Sequence, residues 1–598
     1  MTPDAPTPTR STGIGSTPLD GRTAFRVWAP NADSVAVTGS FDEWAAQHDL
    51  EREESGYWYG EVEGAGHGDE YQYVITNGEQ VLHRIDPRAR AVTNSVGNAI
   101  IYDRHAFDWQ GDSYTCPPHN ELVIYETHIG SFAADGDGVG NLVELIGKLG
   151  YLHDLGINAI ELMPVTEFAG DYSWGYNPSD PYAVESSYGG PDHLKAFVRE
   201  AHRHGIAVIV DVVLNHFGPS DLTLWRFDGA SHNDKGGIYF YQDERSTTPW
   251  GDTRPDYGRV EVAQYCHDNA LMWVEEFHMD GLRFDATLYI RTIDGVGRDI
   301  PEGWALMRSI TDSVRGSYGD KILIAEDLQG DPALTSPDGA GFHAQWEPGF
   351  VHPVRELLAA PDDAGRSMST LAGAIAGQGD PFARVIYTES HDEVANGKVR
   401  VTQEINPDDP TGWAAQKRAT LGTALVLTSA GIPMLFQGQE FLEDEYFRDN
   451  VPLDWDRAMA LRDIVRMVRD LVMLRRNGTG TTAGLLGSHS ALLHLGEESK
   501  TIAWLRSTGV EPGGDADSGG ASVAVVVNAS ANPQDIAIGL PHPGHWAVRF
   551  NSDASTYSLL FGDHHTADVD ATAEPLGDLP AQGVVSVGPY SLVILSRA

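Results

Sequence analysis

Ile206-Ala-Val-Ile-Val-Asp-Val-Val-Leu-Asn-His216 begins as five uninterrupted apolar residues, runs into an aspartate, and reaches an Asn-His pair four residues later. It reads as a short strand with polar chemistry gathered at its C-terminal end. The same layout recurs along the chain. Gly281-Leu-Arg-Phe284 ends in Asp285, Ile322-Leu-Ile-Ala325 ends in Glu326-Asp327, and Arg384-Val-Ile-Tyr387 leads to His391-Asp392-Glu393. Four further strand-like runs are Leu122-Val-Ile-Tyr125, Ala159-Ile-Glu-Leu162, Gly341-Phe-His-Ala344 and Pro433-Met-Leu-Phe436. Amphipathic helical patterns lie between them, as at 192–204, 262–278, 302–315 and 414–429. Eight strand-like runs, each followed by a helix-like one, predict an α/β fold, a (β/α)₈ TIM barrel over residues 118–478. The stretch 217–257 after the third run lacks periodicity and reads as an insertion. A doubly wound sheet is the rival architecture, but no Gly-rich phosphate turn follows the first run.

The barrel is flanked by β-rich segments. Over residues 21–105, short alternating runs such as Phe25-Arg-Val-Trp28 and Tyr71-Gln-Tyr-Val74 are split by Gly and Asn-Gly turns, which predicts a β-sandwich. Its aromatics (Trp28, Phe41, Trp44, Tyr57, Trp58, Tyr71, Tyr73) suit either a core or a platform for sugar rings. Over residues 482–598, strands are expected near Ala503-Trp-Leu505, 523–527, Trp546-Ala-Val-Arg549 and 590–595, with a Gly/Asp-rich loop at 509–520. Residues 1–20 form a Thr/Pro/Ser-rich stretch with no apolar core, read as a disordered tail and not a secretory signal.

Composition narrows the function classes. Among 598 residues, 86 are acidic and 41 basic, for a formal charge of −45. Such a surface repels nucleic acid and anionic membranes and suits a neutral substrate. The two cysteines are too few for a disulfide framework or a Cys-rich metal site. No apolar run approaches the length of a membrane span. A cytoplasmic protein is expected.

Active sites of such barrels lie at the C-terminal ends of the strands, so Asp211, His216, Arg283, Asp285, Glu326, His391 and Asp392 are expected to converge. One aspartate after a strand is ordinarily a turn or helix cap; four such positions in register are not. Carboxylates with Arg and His, but without Cys or a repeated His pair, argue against a zinc enzyme and fit glycoside cleavage. That reaction needs one ionised carboxylate to attack the anomeric carbon and one protonated carboxyl to release the leaving oxygen. Arg283, two residues before Asp285 and on the same strand face, can hold the nucleophile ionised. Asp285 therefore suits the nucleophile and Glu326 the general acid/base. A retaining mechanism places such a pair roughly 5–5.5 Å apart.

Asp211-Val-Val-Leu-Asn-His216, Gly281-Leu-Arg-Phe-Asp285, Ala325-Glu326-Asp327 and Ser390-His-Asp392 resemble, in order and spacing, the four signature regions of the α-amylase superfamily, glycoside hydrolase family 13. The resemblance implies that Asp392 is the third catalytic carboxylate, binding and distorting the substrate sugar. It also implies that His216 and His391 bond the sugar hydroxyls, that Asp211 and Arg283 belong to the same substrate site, and that Tyr176 stacks under the sugar next to the cleaved bond. Within the superfamily, Val27-Trp-Ala-Pro-Asn-Ala-Asp-Ser-Val35 and Gly39-Ser-Phe-Asp-Glu-Trp44 look like the N-terminal sandwich of branching and debranching enzymes. Tyr125-Glu-Thr-His-Ile-Gly-Ser131 is similar to the first barrel strand of glycogen branching enzymes and of maltooligosyltrehalose trehalohydrolases. Ser173-Trp-Gly-Tyr176, Ser390-His-Asp-Glu393 and Gly341-Phe-His-Ala-Gln-Trp346 lean toward branching enzymes. In contrast, Val184-Glu-Ser-Ser-Tyr-Gly189 lacks the usual arginine, and Gln437-Gly-Gln-Glu440 looks more like the trehalohydrolase side.

The expected activity is retaining cleavage and transfer on α-1,4-glucans, first as a branching enzyme forming α-1,6 branches. The alternative is a maltooligosaccharide hydrolase of trehalohydrolase or α-amylase type, and the remote one a non-catalytic glucan-binding protein. No organic cofactor and no essential metal are expected. By the same resemblance a calcium site would use Asn215, with further ligands sought among Asp221, Asp228 and Asp234 of the insertion.

Overall fold

A computed structural model describes residues 13–134, 136, 138–509 and 520–597. Eight parallel strands close into a barrel: β1 Ile124–Thr127, β2 Ala159–Leu162, β3 Ala207–Val212, β4 Gly281–Phe284, β5 Ile322–Ala325, β6 Ala344–Trp346, β7 Arg384–Ile386 and β8 Ile432–Phe436. Every residue of the eight is buried, which is why they read as apolar runs and not as alternating ones. Strand order follows the chain, and β8 pairs with β1 to seal the ring.

The register aligns the polar ends. Asp211 of β3 pairs with Arg283 of β4, and Phe284 of β4 pairs with Ala325 of β5. The next residues leave the rim side by side: Asp285 N–H donates to Val212 O at 3.1 Å and Glu326 N–H to Phe284 O at 3.0 Å. β6 begins three residues later than its sequence run. Gly341 sits at φ +80, outside the extended region, and the His343 ring accepts the Leu323 N–H at 3.0 Å, so pairing starts only at Ala344.

The helix expected after every run is missing between β5 and β6, where residues 326–343 form only turns, and two excursions further interrupt the β/α alternation. After β3, residues 213–259 form an irregular insertion with a single 3₁₀ turn, Glu244–Ser246. After β2, a hairpin of Thr166–Phe168 and Pro178–Val184 precedes helix Gly190–Arg203; sequence periodicity did not separate it from the barrel.

The N-terminal domain is a pair of antiparallel sheets around Phe25, Val35, Tyr71 and Ile75, all essentially inaccessible. Trp28, Trp58 and Tyr73 also belong to the core, whereas Trp44 is 41% exposed. The tail expected over residues 1–20 is corrected at its described end. Gly15–Leu19 is a strand paired with Arg22–Trp28, because its backbone completes the open edge of that sheet. Residues 1–12 lie outside the described residues. This domain grips the insertion: Arg84 Nε donates to Phe227 O at 2.9 Å, and Asn31 N and Nδ2 donate to Asp228 Oδ2 at 3.0 and 2.9 Å.

The C-terminal domain is all-β, a six-stranded sheet with a two-stranded companion. Of its Gly/Asp-rich loop, residues 510–519 lie outside the described residues. Among those described, no helix is long and apolar enough to cross a membrane.

The C-terminal domain is locked to the barrel by a buried charge pair. Lys417, on helix Trp413–Thr428, donates to Asp553 Oδ1 and Ser591 Oγ, both at 2.7 Å, and the lysine and aspartate are each 1% exposed. Removing one partner strands the other charge in the core, a cost of about 3–5 kcal/mol. Lys417→Met is therefore expected to lower the thermal unfolding midpoint clearly, and Lys417→Met with Asp553→Asn to recover much of the loss. A calorimetric scan of the two variants against the parent checks this; an unchanged midpoint in Lys417→Met would show the pair to be dispensable.

Candidate active site

Arg283 is the centre of the site. Its guanidinium is fully buried and meets three carboxylates. Nη1 donates to Asp211 Oδ2 at 2.5 Å and to Asp285 Oδ1 at 2.9 Å, and Nη2 lies 3.7 Å from Glu326 Oε2. The Trp346 ring covers the guanidinium at 4.4 Å from its centroid, a cation–π contact that fixes its plane. Nε and Nη2 make no hydrogen bond among the described residues, so the Nη2–Glu326 contact is an ion pair only.

The carboxylates differ in what surrounds them. Asp285 is held from both sides: Arg283 engages Oδ1, while Asn215 Nδ2 donates to Oδ2 at 2.7 Å and to the Asp285 carbonyl at 2.9 Å. Glu326 receives less. Ala286 N–H donates to its Oε2 at 2.6 Å, and burial, helped by the negative charges of Asp285 and Asp392, pushes its carboxyl up to about 8 against the pull of Arg283. An amide N–H can only donate, so the acid proton of Glu326 belongs on Oε1. The Ala286 backbone is at φ 40, ψ 51, a left-handed conformation that costs a non-glycine residue on the order of 1–3 kcal/mol. That strain aims its N–H at Glu326.

Asp211 Oδ2 also accepts the Tyr176 hydroxyl at 2.6 Å. Burial raises the Asp211 carboxyl to about 6, with Arg283 opposing. The Tyr176 ring stacks on His391 at 5.0 Å and 24°. His216 is pulled down to about 4 by burial and is neutral near pH 7; its Nδ1 pairs with Asn215 Oδ1, which sets the tautomer. His391 and Asp392 stand on the loop after β7, with His391 2% exposed and the Asp392 side chain 44% exposed.

All eight sequence-derived site residues thus lie around one rim of the barrel. Several participants were not legible as such. Asn215, noted only as a calcium ligand, instead binds Asp285. Ala286 carries no side-chain signal at all. Trp250, in the insertion, is 41% exposed yet stacks on His216 at 4.6 Å and 16° and meets Tyr289 edge-on at 5.2 Å. The possible calcium ligands are not gathered. Asp221 takes the Ser95 hydroxyl, Asp228 takes Asn31, and Asp234 pairs with Arg226. Among the described residues, no three His, Cys, Asp or Glu side chains are placed to share a metal ion.

Comparison with known proteins matches all three domains of the chain. Residues 130–254 match the family "Alpha amylase, catalytic domain", residues 13–89 match "Carbohydrate-binding module 48 (Isoamylase N-terminal domain)", and residues 494–598 match "Alpha amylase, C-terminal all-beta domain". The 1,4-alpha-glucan branching enzyme GlgB of Leifsonia xyli subsp. xyli is 31% identical over 96% of this chain and 79% of its own length. Among solved structures, a putative alpha amylase from Salmonella typhimurium superposes with a TM-score of 0.73 at 24% identity, covering 98% of this chain and 99% of that one. A pullulanase from Anoxybacillus sp. LM18-11, complexed with maltotetraose, gives 0.77 at 21% identity over 98% of this chain and 87% of that one. These two share the fold. The chain belongs to the family of the GlgB branching enzymes, within the α-amylase superfamily of glycoside hydrolases and glucanotransferases.

Proposed function

We propose that the protein is a retaining 1,4-α-glucan branching enzyme that cleaves an α-1,4 bond and transfers the severed chain to a 6-hydroxyl, forming an α-1,6 branch. The observation that carries this is the unequal holding of two carboxylates by one guanidinium: Asp285 is doubly clamped and Glu326 is left to keep a proton. In the first half-reaction, Asp285 attacks the anomeric carbon while Glu326 Oε1–H protonates the departing glycosidic oxygen. This leaves a glycosyl ester on Asp285 and a carboxylate on Glu326. In the second, Glu326 takes the proton of the incoming hydroxyl as that oxygen attacks the anomeric carbon of the glycosyl ester, and the bond from that carbon to Asp285 breaks to release a carboxylate. Asp392 binds and distorts the sugar, Tyr176 lies beneath it, and His216 and His391 bond its hydroxyls. Exposed Trp250 supplies a further apolar face at the mouth of the site.

The 31% identity to a GlgB enzyme over nearly the whole chain supports transfer over hydrolysis. The feature that leaned toward a trehalohydrolase, Gln437-Gly-Gln-Glu440, is buried scaffold here. Gln437 bonds His128 N–H and the Ser131 hydroxyl, and Glu440 bonds the Tyr125 and Tyr151 hydroxyls. It therefore does not bear on which acceptor resolves the ester. Cys116 and Cys266, both buried and unpaired, support a cytoplasmic location.

Incubated with amylose, the protein is expected to bleach the iodine colour while creating few new reducing ends; reducing ends rising in step with the colour loss would mean hydrolysis. Asp285→Asn is expected to remove turnover by at least about 10⁴-fold with the fold intact. Glu326 acts first in its protonated form, and a raised carboxyl pKa keeps that form populated below about 8. kcat/KM should therefore fall as pH rises through that value, and a flat profile from pH 7 to 9 would exclude Glu326 as the acid. Activity is expected to survive exhaustive chelation, as assayed after dialysis against EDTA.

A further inference from the structure

Tyr125-Glu-Thr-His128 contains a carboxylate to which the mechanism assigns nothing. Glu126, on β1, is 2% exposed, and both its oxygens go to one residue across the barrel mouth. Oε1 meets His391 Nδ1 at 2.5 Å, and Oε2 accepts the His391 backbone N–H at 3.1 Å. β1 and β7 are not neighbours, since β8 stands between them, so this side chain spans a gap that no backbone pairing bridges. It ties the loop carrying His391 and Asp392 to the opposite side of β8.

The remaining surroundings leave the His391 ring no other anchor of this kind. Tyr176 stacks on one face, Trp174 meets the ring edge-on at 5.7 Å, and Trp346 is tilted against it at 6.0 Å. The second nitrogen, Nε2, lies 3.7 Å from Asp392 Oδ1. The charged and titratable groups acting on the ring are Glu126, Asp392, Arg283, Glu161 and His128. Burial and Arg283 draw His391 down, but Asp392 and Glu126 outweigh them and hold it at about 9. Glu161 of β2, the register partner of Glu126, is buried with Oε2 unbonded; burial and Glu126 push it well above the carboxylate range, so it stays neutral. His128 is drawn down to about 4 by burial and is neutral as well. Asp392 faces solvent and would engage the substrate, which leaves Glu126 as the permanent partner of His391.

We propose that Glu126 is a positioning residue for the transfer reaction: by gripping both ring and backbone of His391, it makes the imidazole a donor through both nitrogens and turns Nε2 toward a sugar hydroxyl. This rests on the reading that the sugar bound at Asp285 faces His391. With a carboxylate on Nδ1–H, the proton on Nε2 remains through neutral pH. With glutamine in its place, the amide carbonyl can still take the backbone N–H, but its NH₂ then faces Nδ1, and only Asp392 is left to favour the charged ring.

The test is Glu126→Gln, with His391→Ala and the double variant, assayed by branching kinetics across pH. Glu126→Gln is expected to keep its melting temperature near the parent's and to lose about 10–100-fold in kcat/KM, the range for removing the outer partner of a functional histidine. In the parent the Glu326 limb near 8 precedes loss of the His391 proton near 9; in Glu126→Gln that order is expected to reverse, so the alkaline limb begins at lower pH than the parent's. In the His391→Ala background the same change should cost almost nothing further. Parent-like kcat/KM with an unshifted limb, or a full additional loss in the His391→Ala background, would overturn the proposal. Should Glu126→Gln not fold, Glu126→Asp keeps the charge but cannot span both contacts. It is expected to lower kcat/KM with little movement of the limb, and parent-like rates in it would overturn the proposal equally. Asp285→Asn separates the two levels: residual turnover there would sink the site reading, whereas its inactivity beside a parent-like Glu126→Gln would sink only the role of Glu126.

Discussion

One buried guanidinium facing three carboxylates is the constraint from which the rest of the site follows. Arg283 supplies a single positive charge to Asp211, Asp285 and Glu326, at 2.5, 2.9 and 3.7 Å. Three buried anions cannot all be balanced by one cation, so at least one carboxyl must hold a proton. Asp285 has a donor on each oxygen, Arg283 on Oδ1 and Asn215 on Oδ2. Glu326 is the farthest from the charge and has only a single amide donor, so the proton settles there. The difference between nucleophile and acid is thus a matter of how donors are shared out, and both side chains are otherwise ordinary carboxyls.

That sharing depends on the barrel register. Asp211 opposite Arg283, and Phe284 opposite Ala325, bring residues from three strands to one height on the rim. The strained Ala286 then turns its amide inward instead of continuing the strand. Around this rigid ring, the insertion after β3 adds Trp250 and is itself braced by the N-terminal domain through Arg84 and Asn31. The N-terminal sandwich therefore holds the insertion at Arg226, Phe227 and Asp228.

The barrel and its carboxylates were legible in the sequence for one shared reason. Strands buried on both faces read as apolar runs, and each polar interruption at a run's end marks the rim. Where that signal is absent, sequence reading fell short. β6 starts late because Gly341 breaks the extended backbone, a conformational fact with no hydropathy trace. The hairpin carrying Tyr176 was hidden because Pro178–Val184 is as buried as a barrel strand. Asn215, Ala286 and Glu126 act through directed hydrogen bonds to residues distant in the sequence. Such contacts join residues as far apart as Glu126 and His391, and local periodicity cannot register them. Trp250 lay in a stretch without periodicity, where only the folded loop brings it onto His216.

The most direct test of the central claim is to trap the covalent intermediate. Glu326→Gln lacks the base needed for the second half-reaction, while an α-maltosyl fluoride donor needs no acid for the first. A glycosyl ester is expected to accumulate on this variant and to map by peptide mass spectrometry to Asp285. A glycosyl adduct on any other residue, or turnover of the fluoride with no adduct on Asp285, would contradict the claim.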